Sequence, residues 1–129
     1  MAIIKRGTPG DSPRWEWADV PPQTYAGGGA VGSTRRVLIG PDDGAGNFSL
    51  RYFEIAPGGQ TSFDKHAHDH GVMIVKGRAR VRLGWKVVEM DPGDVVYIAP
   101  QEEHQFEAIG PGPVGMLCVN PAKKNAAGL

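Results

Sequence analysis

The sequence predicts an all-β fold, a sandwich or barrel of short strands, on three observations. Glycine and proline supply 19 and 11 of the 129 residues, about twice the ordinary share, which leaves few windows long enough for a helix to propagate. From Arg35 onward, apolar or alternating runs return every eight to twelve residues or so between turn signals, the rhythm of sandwiches and barrels. Arg78, Arg80 and Arg82 alternate with Ala79, Val81 and Leu83, so one face of that strand covers a core and the other meets solvent.

Taken in order, residues 1–34 read as an irregular segment, punctuated by Pro9, Pro13, Pro21-Pro22 and Gly27-Gly28-Gly29. Within it Trp15-Glu16-Trp17 alternates like a short strand. Strands are expected over 35–39, 48–55, 60–67, 70–76, 78–83, 86–90, 94–98, 103–109 and 114–119. The separators are turn chemistry: Gly40-Pro41-Asp42-Asp43-Gly44, Pro57-Gly58-Gly59, Gly77, Gly84, Asp91-Pro92-Gly93-Asp94, Pro100-Gln101 and Gly110-Pro111-Gly112-Pro113. Residues 35–120 thus form one β domain, followed by a tail over 121–129.

Composition narrows the function. Hydrophobic residues at 40% and charged residues at 22% are globular proportions. Fourteen basic residues balance 14 acidic ones, so no global field favours nucleic acid or an anionic membrane, and neither is expected as a partner. The single cysteine, Cys118, excludes a disulfide framework and a four-cysteine zinc site. It reads as a small buried hydrophobe, or as a soft ligand or thiol if it faces a metal. Residues 1–20 carry charges throughout, and no apolar run approaches a membrane span. The expectation is a soluble cytoplasmic protein.

The chemistry concentrates in the four histidines. Three fall in Asp64-Lys65-His66-Ala67-His68-Asp69-His70, where strand parity puts Asp64, His66, His68 and His70 on one face. Imidazole and carboxylate are ligands of manganese, iron, nickel, copper and zinc. The fourth, His104, follows a proline turn on a later strand and can complete a site.

At these residues the chain resembles the cupin superfamily. The first motif of that family spaces a glycine, two histidines, a glutamate and a glycine as Gly58, Asp64, His66, His70 and Gly77 are spaced here, with Asp64 in place of the first histidine and His70 in place of the glutamate. The second motif matches Gly93, Pro100 and His104. The resemblance covers roughly Phe48 to Asn120 and implies a double-stranded β-helix, or jelly-roll barrel. It is nearest to the small cupins that hold manganese or another divalent ion with four histidines, and implies Asp64, His66, His70 and His104 as metal ligands. A rival register with His66 and His68 as the paired histidines demands a carboxylate at Val72 or Met73, where neither side chain coordinates. Sets with His68 in place of Asp64 remain the alternative.

The resemblance implies one divalent transition metal ion, Mn or Fe first and Ni, Cu or Zn permitted by the donors. It implies a dioxygenase-type oxidoreductase acting on a small chelating organic substrate. A metal-dependent isomerase or lyase on a sugar or hydroxy-acid, and a non-catalytic small-ligand-binding module, are the alternatives. His68 and Glu102 are candidates for proton transfer; Glu102 otherwise solvates a turn. Phe53, Tyr97, Phe106 and Met116 are candidate pocket walls. Small cupins commonly form homodimers through an outer sheet face and an exchanged N-terminal segment, which makes residues 1–34 the expected subunit contact. Because imidazoles coordinate only when neutral, metal loss is expected as pH falls through about 6 to 5.

Overall fold

A computed structural model describes residues 2–9 and 15–122. Eleven strands are present among them: β1 (Gly7–Pro9), β2 (Trp15–Trp17), β3 (Gln23–Tyr25), β4 (Val31–Ile39), β5 (Phe48–Gln60), β6 (His70–Lys76), β7 (Ala79–Leu83), β8 (Lys86–Met90), β9 (Val95–Ile98), β10 (His104–Ala108) and β11 (Val114–Pro121). One turn of 3-10 helix, Pro41–Asp43, follows β4. The described residues contain no α-helix. The fold is all-β, as expected.

Nine of the strands pair antiparallel in one curled sheet ordered β8-β7-β10-β5-β11-β6-β9, with β4 also on β5 and β3 on β4, and β1 and β2 form a separate two-stranded sheet. The curl encloses the main core, in which Ile55, Ile74, Val81 and Val114 are fully buried. Arg80 and Arg82 lie exposed on the outside while Ala79 and Val81 point inward, following the alternation of the sequence. Arg80 pairs with Glu107 at 3.1 Å, and the Arg82 guanidinium sits 4.5 Å from the Phe63 ring centre.

β5 is the spine. Its odd positions face the main core, whereas Tyr52 faces outward and is nonetheless buried. A second, smaller cluster of Val20, Leu38 and Tyr52 covers it, with Trp17, Leu50, Val75 and Leu117 packed against it. The Trp17 ring lies 5.1 Å from that of Tyr52. Residues 1–34 therefore carry more structure than an irregular segment: β1 pairs with β2, and β3 extends the main sheet through β4. Lys5 fastens the segment, donating to the Leu38 carbonyl at 2.6 Å and pairing with Asp43 at 2.7 Å.

Three of the expected strands differ: the one expected over 35–39 starts at Val31, and two others differ for a physical reason. The strand expected to end at residue 55 runs to Gln60, because Pro57-Gly58-Gly59 is a bulge and not a turn. Across it β4 steps from Val31 to Ser33 while its partner on β5 steps from Gln60 to Ile55. Gly58 takes up the excess at φ 79°. The strand expected over 60–67 is absent: between β5 and β6 the chain bends at Ala67 and His68 and makes one isolated bridge, Asp64 to His104. Residues 123–129, within the expected tail, lie outside the described residues.

Candidate metal centre

The segment joining β5 to β6 is held to the rest of the barrel by backbone hydrogen bonds. Thr61 N–H donates to the Phe106 carbonyl at 2.8 Å, and the Thr61 hydroxyl accepts from Phe106 N–H at 2.9 Å. Asp64 and His104 exchange both of their backbone hydrogen bonds, at 3.0 and 2.9 Å, which sets these residues directly opposite each other. Gln101, at the left-handed φ of 65°, donates to the His66 carbonyl at 2.6 Å. The loops bearing His66 and His104 are thereby tied together, while His70 opens β6.

His66, His70 and His104 converge: each offers a ligand nitrogen, and these nitrogens lie within 4.8 Å of one another. His70 and His104 are 8% and 5% exposed. They form the polar wall of a cavity of about 50 Å³, completed by Arg51, Thr61, Ser62, Asp64 and Cys118 and by the apolar side chains of Phe53, Val72, Phe106 and Met116. A space of this size holds a few water molecules, so it admits a small reacting group and not a large molecule.

Hydrogen bonds fix the rings. His104 Nδ1 donates to the Glu102 carbonyl at 2.8 Å, which leaves Nε2 as the nitrogen with a lone pair. His70 Nδ1 lies 3.3 Å from Cys118 Sγ, while its Nε2 is buried with no hydrogen-bond partner. A buried, orphaned imidazole nitrogen beside two other imidazoles is what a metal ligand looks like without its ion. The three histidines fit a metal ion, and could hold one.

The electrostatics agree. Burial, reinforced by the charges of His104, His66 and Arg51, pushes His70 down to about 3. Burial also lowers His66, against the opposing pull of Asp64. Both rings therefore stay neutral and able to coordinate near pH 7. Burial raises the Cys118 thiol, so it stays protonated although Arg51 pulls the other way.

The remaining candidates divide. Asp64 lines the cavity and accepts a hydrogen bond from the Ser62 hydroxyl. His68 stacks on His66 with ring centres 5.0 Å apart but is not part of the cavity lining. Glu102 turns its carboxylate to the Ala99 N–H at 3.1 Å, closing the turn before His104, and is likewise not part of the lining. Phe53, Phe106 and Met116 line the cavity as expected. Tyr97 does not, which corrects its reading as a pocket wall: Ile98 is the inward residue of β9, so Tyr97, 63% exposed, points out and donates to Asp69 at 2.8 Å.

Arg51 is a wall residue that escapes a reading of the sequence by motif, whereas Cys118 is the residue read as a buried hydrophobe or, facing a metal, as a ligand or thiol. Cys118 is buried, but against His70 and Arg51 and not merely among apolar neighbours. Arg51 was visible only as a single charge in the inward row Ser49, Arg51, Phe53, Ile55 of β5.

A curled antiparallel sheet holding a histidine cluster at these spacings defines a cupin, and the chain belongs to the cupin family: residues 51–120 match the family model described as a cupin domain. Among curated proteins it is 37% identical over 113 residues to 1-methylthio-D-xylulose 5-phosphate methylsulfurylase of Rhodospirillum rubrum, covering 87% of this chain and 71% of that protein. The fold is similar to the crystal structure of a cupin-2 domain protein from the same species, with 35% identity and a TM-score of 0.79 over 92% of this chain and 79% of the other. It is also similar to the polyketide cyclase RemF of Streptomyces resistomycificus, with 29% identity and a TM-score of 0.76 over 92% and 80%.

Proposed function

We propose that the chain is a metal-dependent enzyme that takes a small carbonyl or hydroxy compound by its oxygen atoms at the histidine cluster. The observation that carries this reading is the orphaned Nε2 of His70, buried beside His66 and His104. The proposed ligands are His66, His70, His104 and Asp64. Asp64 is preferred to His68 because it shares the cavity wall with the three histidines. A divalent ion there, Mn or Fe first, supplies a Lewis acid and, if redox-active, a place for dioxygen.

The chain's own groups do the rest. The Glu102 carbonyl holds the ring of His104 in the coordinating tautomer, and Cys118 Sγ packs 3.3 Å from His70 Nδ1. Asp64 offsets part of the positive charge. Phe53, Phe106 and Met116 keep water from the reacting atoms. His68, stacked on His66 outside the lining, is placed to pass a proton to or from solvent.

Bond-making and bond-breaking beside a carbonyl, the lyase or isomerase type, is the first reading. Two relatives support it, one named for a methylthio-ketose phosphate and the other for polyketide cyclisation, since ketoses and polyketides are both carbonyl compounds. Dioxygenase chemistry is the second, favoured by the apolar walls, which dissolve oxygen. Turnover of ketose and diketone substrates with and without air separates them: equal anaerobic turnover ends the dioxygenase reading, and oxygen consumption matched to turnover ends the other. For the site, metal analysis of untagged protein is expected to find about one ion per chain, lost in His104→Ala and reduced in Asp64→Ala but not in His68→Ala. Unchanged content in His104→Ala would sink the assignment.

A further inference from the structure

We infer that Arg51 makes the cavity an anion subsite, so that the substrate enters as an acid, its carboxylate on Arg51 and its neighbouring keto or hydroxyl oxygen toward the histidines. This rests on the proposed function above and narrows its substrate class to 2-keto and 2-hydroxy acids.

Arg51 lies on the inward face of β5, opposite Cys118 on β11, and lines the same cavity as the three histidines. A guanidinium is charged at every relevant pH. Placed in a partly apolar cavity, it needs an anion or a set of good acceptors. Among the described residues it has neither: its side-chain hydrogen bond runs to Cys118 Sγ at 3.3 Å, its Nε is buried without a partner, and its Cζ lies 5.0 Å from the centre of the Phe53 ring. Among the described residues, none of the ion pairs engages it. Asp64, the single carboxylate of the lining, bonds instead to Ser62.

A thiol is a poor acceptor and takes up little of the charge. The guanidinium fork therefore keeps donors for a planar oxyanion, and a carboxylate matches it with two parallel N–H···O bonds. Charge balance points the same way. A divalent ion offset by Asp64 leaves one positive charge in the cavity, and Arg51 adds a second. An anionic substrate offsets one of these charges where a neutral one offsets none.

The experiment compares pyruvate with pyruvamide, which has the same ketone and nearly the same shape but no charge. Both are titrated into metal-loaded protein by calorimetry, with wild type, Arg51→Met and Arg51→Gln. The last keeps a donor for Cys118 Sγ and stands in if the methionine variant fails to fold. Wild type is expected to prefer pyruvate, and either neutral variant to lose that preference by about tenfold or more while keeping its metal. An unchanged preference in a folded, metal-replete variant overturns the inference, as does metal-loaded wild type that binds neither compound. Wild type that takes up no metal overturns the proposed function itself.

Discussion

At the scale of single residues, the site is built from side chains that differ in what they touch more than in what they are. His70 and His104 are both buried imidazoles, one held by a thiol and the other by a backbone carbonyl. A carbonyl accepts strongly and a thiol weakly, so His70 is the less firmly oriented ring. Cys118→Ala is therefore expected to leave the fold intact and weaken metal binding by about tenfold, read by competition with a chelator. Affinity equal to wild type would mean that the sulfur only fills space. The histidine cluster was legible in the sequence because histidines are rare and their spacing to Gly58, Gly77, Gly93 and Pro100 is distinctive. Arg51 was not, because β5 is covered on both faces. A strand with two buried faces has no polar side against which an inward arginine stands out.

At the scale of elements, glycines decide where strands can meet. Gly77, between β6 and β7, has φ 77°, and a Cβ there would lie 2.1 Å from the Pro113 carbonyl oxygen. Backbone in that loop cannot give way as a side chain would. Gly77→Ala is expected to cost about 1–3 kcal/mol, measured as a lowered urea midpoint. Gly71→Ala in β6 is the control: nothing lies within 4 Å of its added Cβ and its φ is not positive, so it should stay within about 0.5 kcal/mol of wild type. A midpoint shift shared by both variants would refute the steric account. Strands from β6 onward followed their alternation closely, since each has one face on the core. The failures lie where alternation meant something else. Asp64, His66, His68 and His70 have strand period, yet the segment makes only the Asp64–His104 bridge, and Asp64, His66 and His70 line the cavity while His68 does not. β1 and β3 are three residues each and exist through tertiary partners, which local pattern does not encode, whereas β2 coincides with the alternating Trp15-Glu16-Trp17.

At the scale of the whole molecule, a cluster of buried imidazoles couples stability to pH and to metal. In the unfolded chain His70 titrates near 6.5, and in the folded metal-free protein burial takes it to about 3. Between those values the unfolded state binds more protons, so stability rises with pH across the window and falls as acid is added. Above about 6.5 both states are neutral and His70 contributes no slope. Below it the metal-free protein is expected to lose up to about 1.4 kcal/mol per pH unit from this residue. His66, lowered for the same reason, adds to the loss. Asp43, lowered by its bond to Lys5, acts with the same sign but only in the carboxylate range, below His70's upper limit. Urea midpoints of metal-free protein from pH 8 to pH 4 should therefore be level at first and then fall, and more gently in His70→Gln; an identical fall in that variant would place the acid sensitivity elsewhere. Bound metal makes protons compete for the same nitrogens. Because His66 and His70 yield to protons later than free imidazole does, metal loss belongs below the window of about 6 to 5 that the sequence alone implied. Protein dialysed at pH 5.5 is expected to keep most of its ion and at pH 4 to release it, and release already complete at pH 6 would contradict the burial that the fold imposes on these rings.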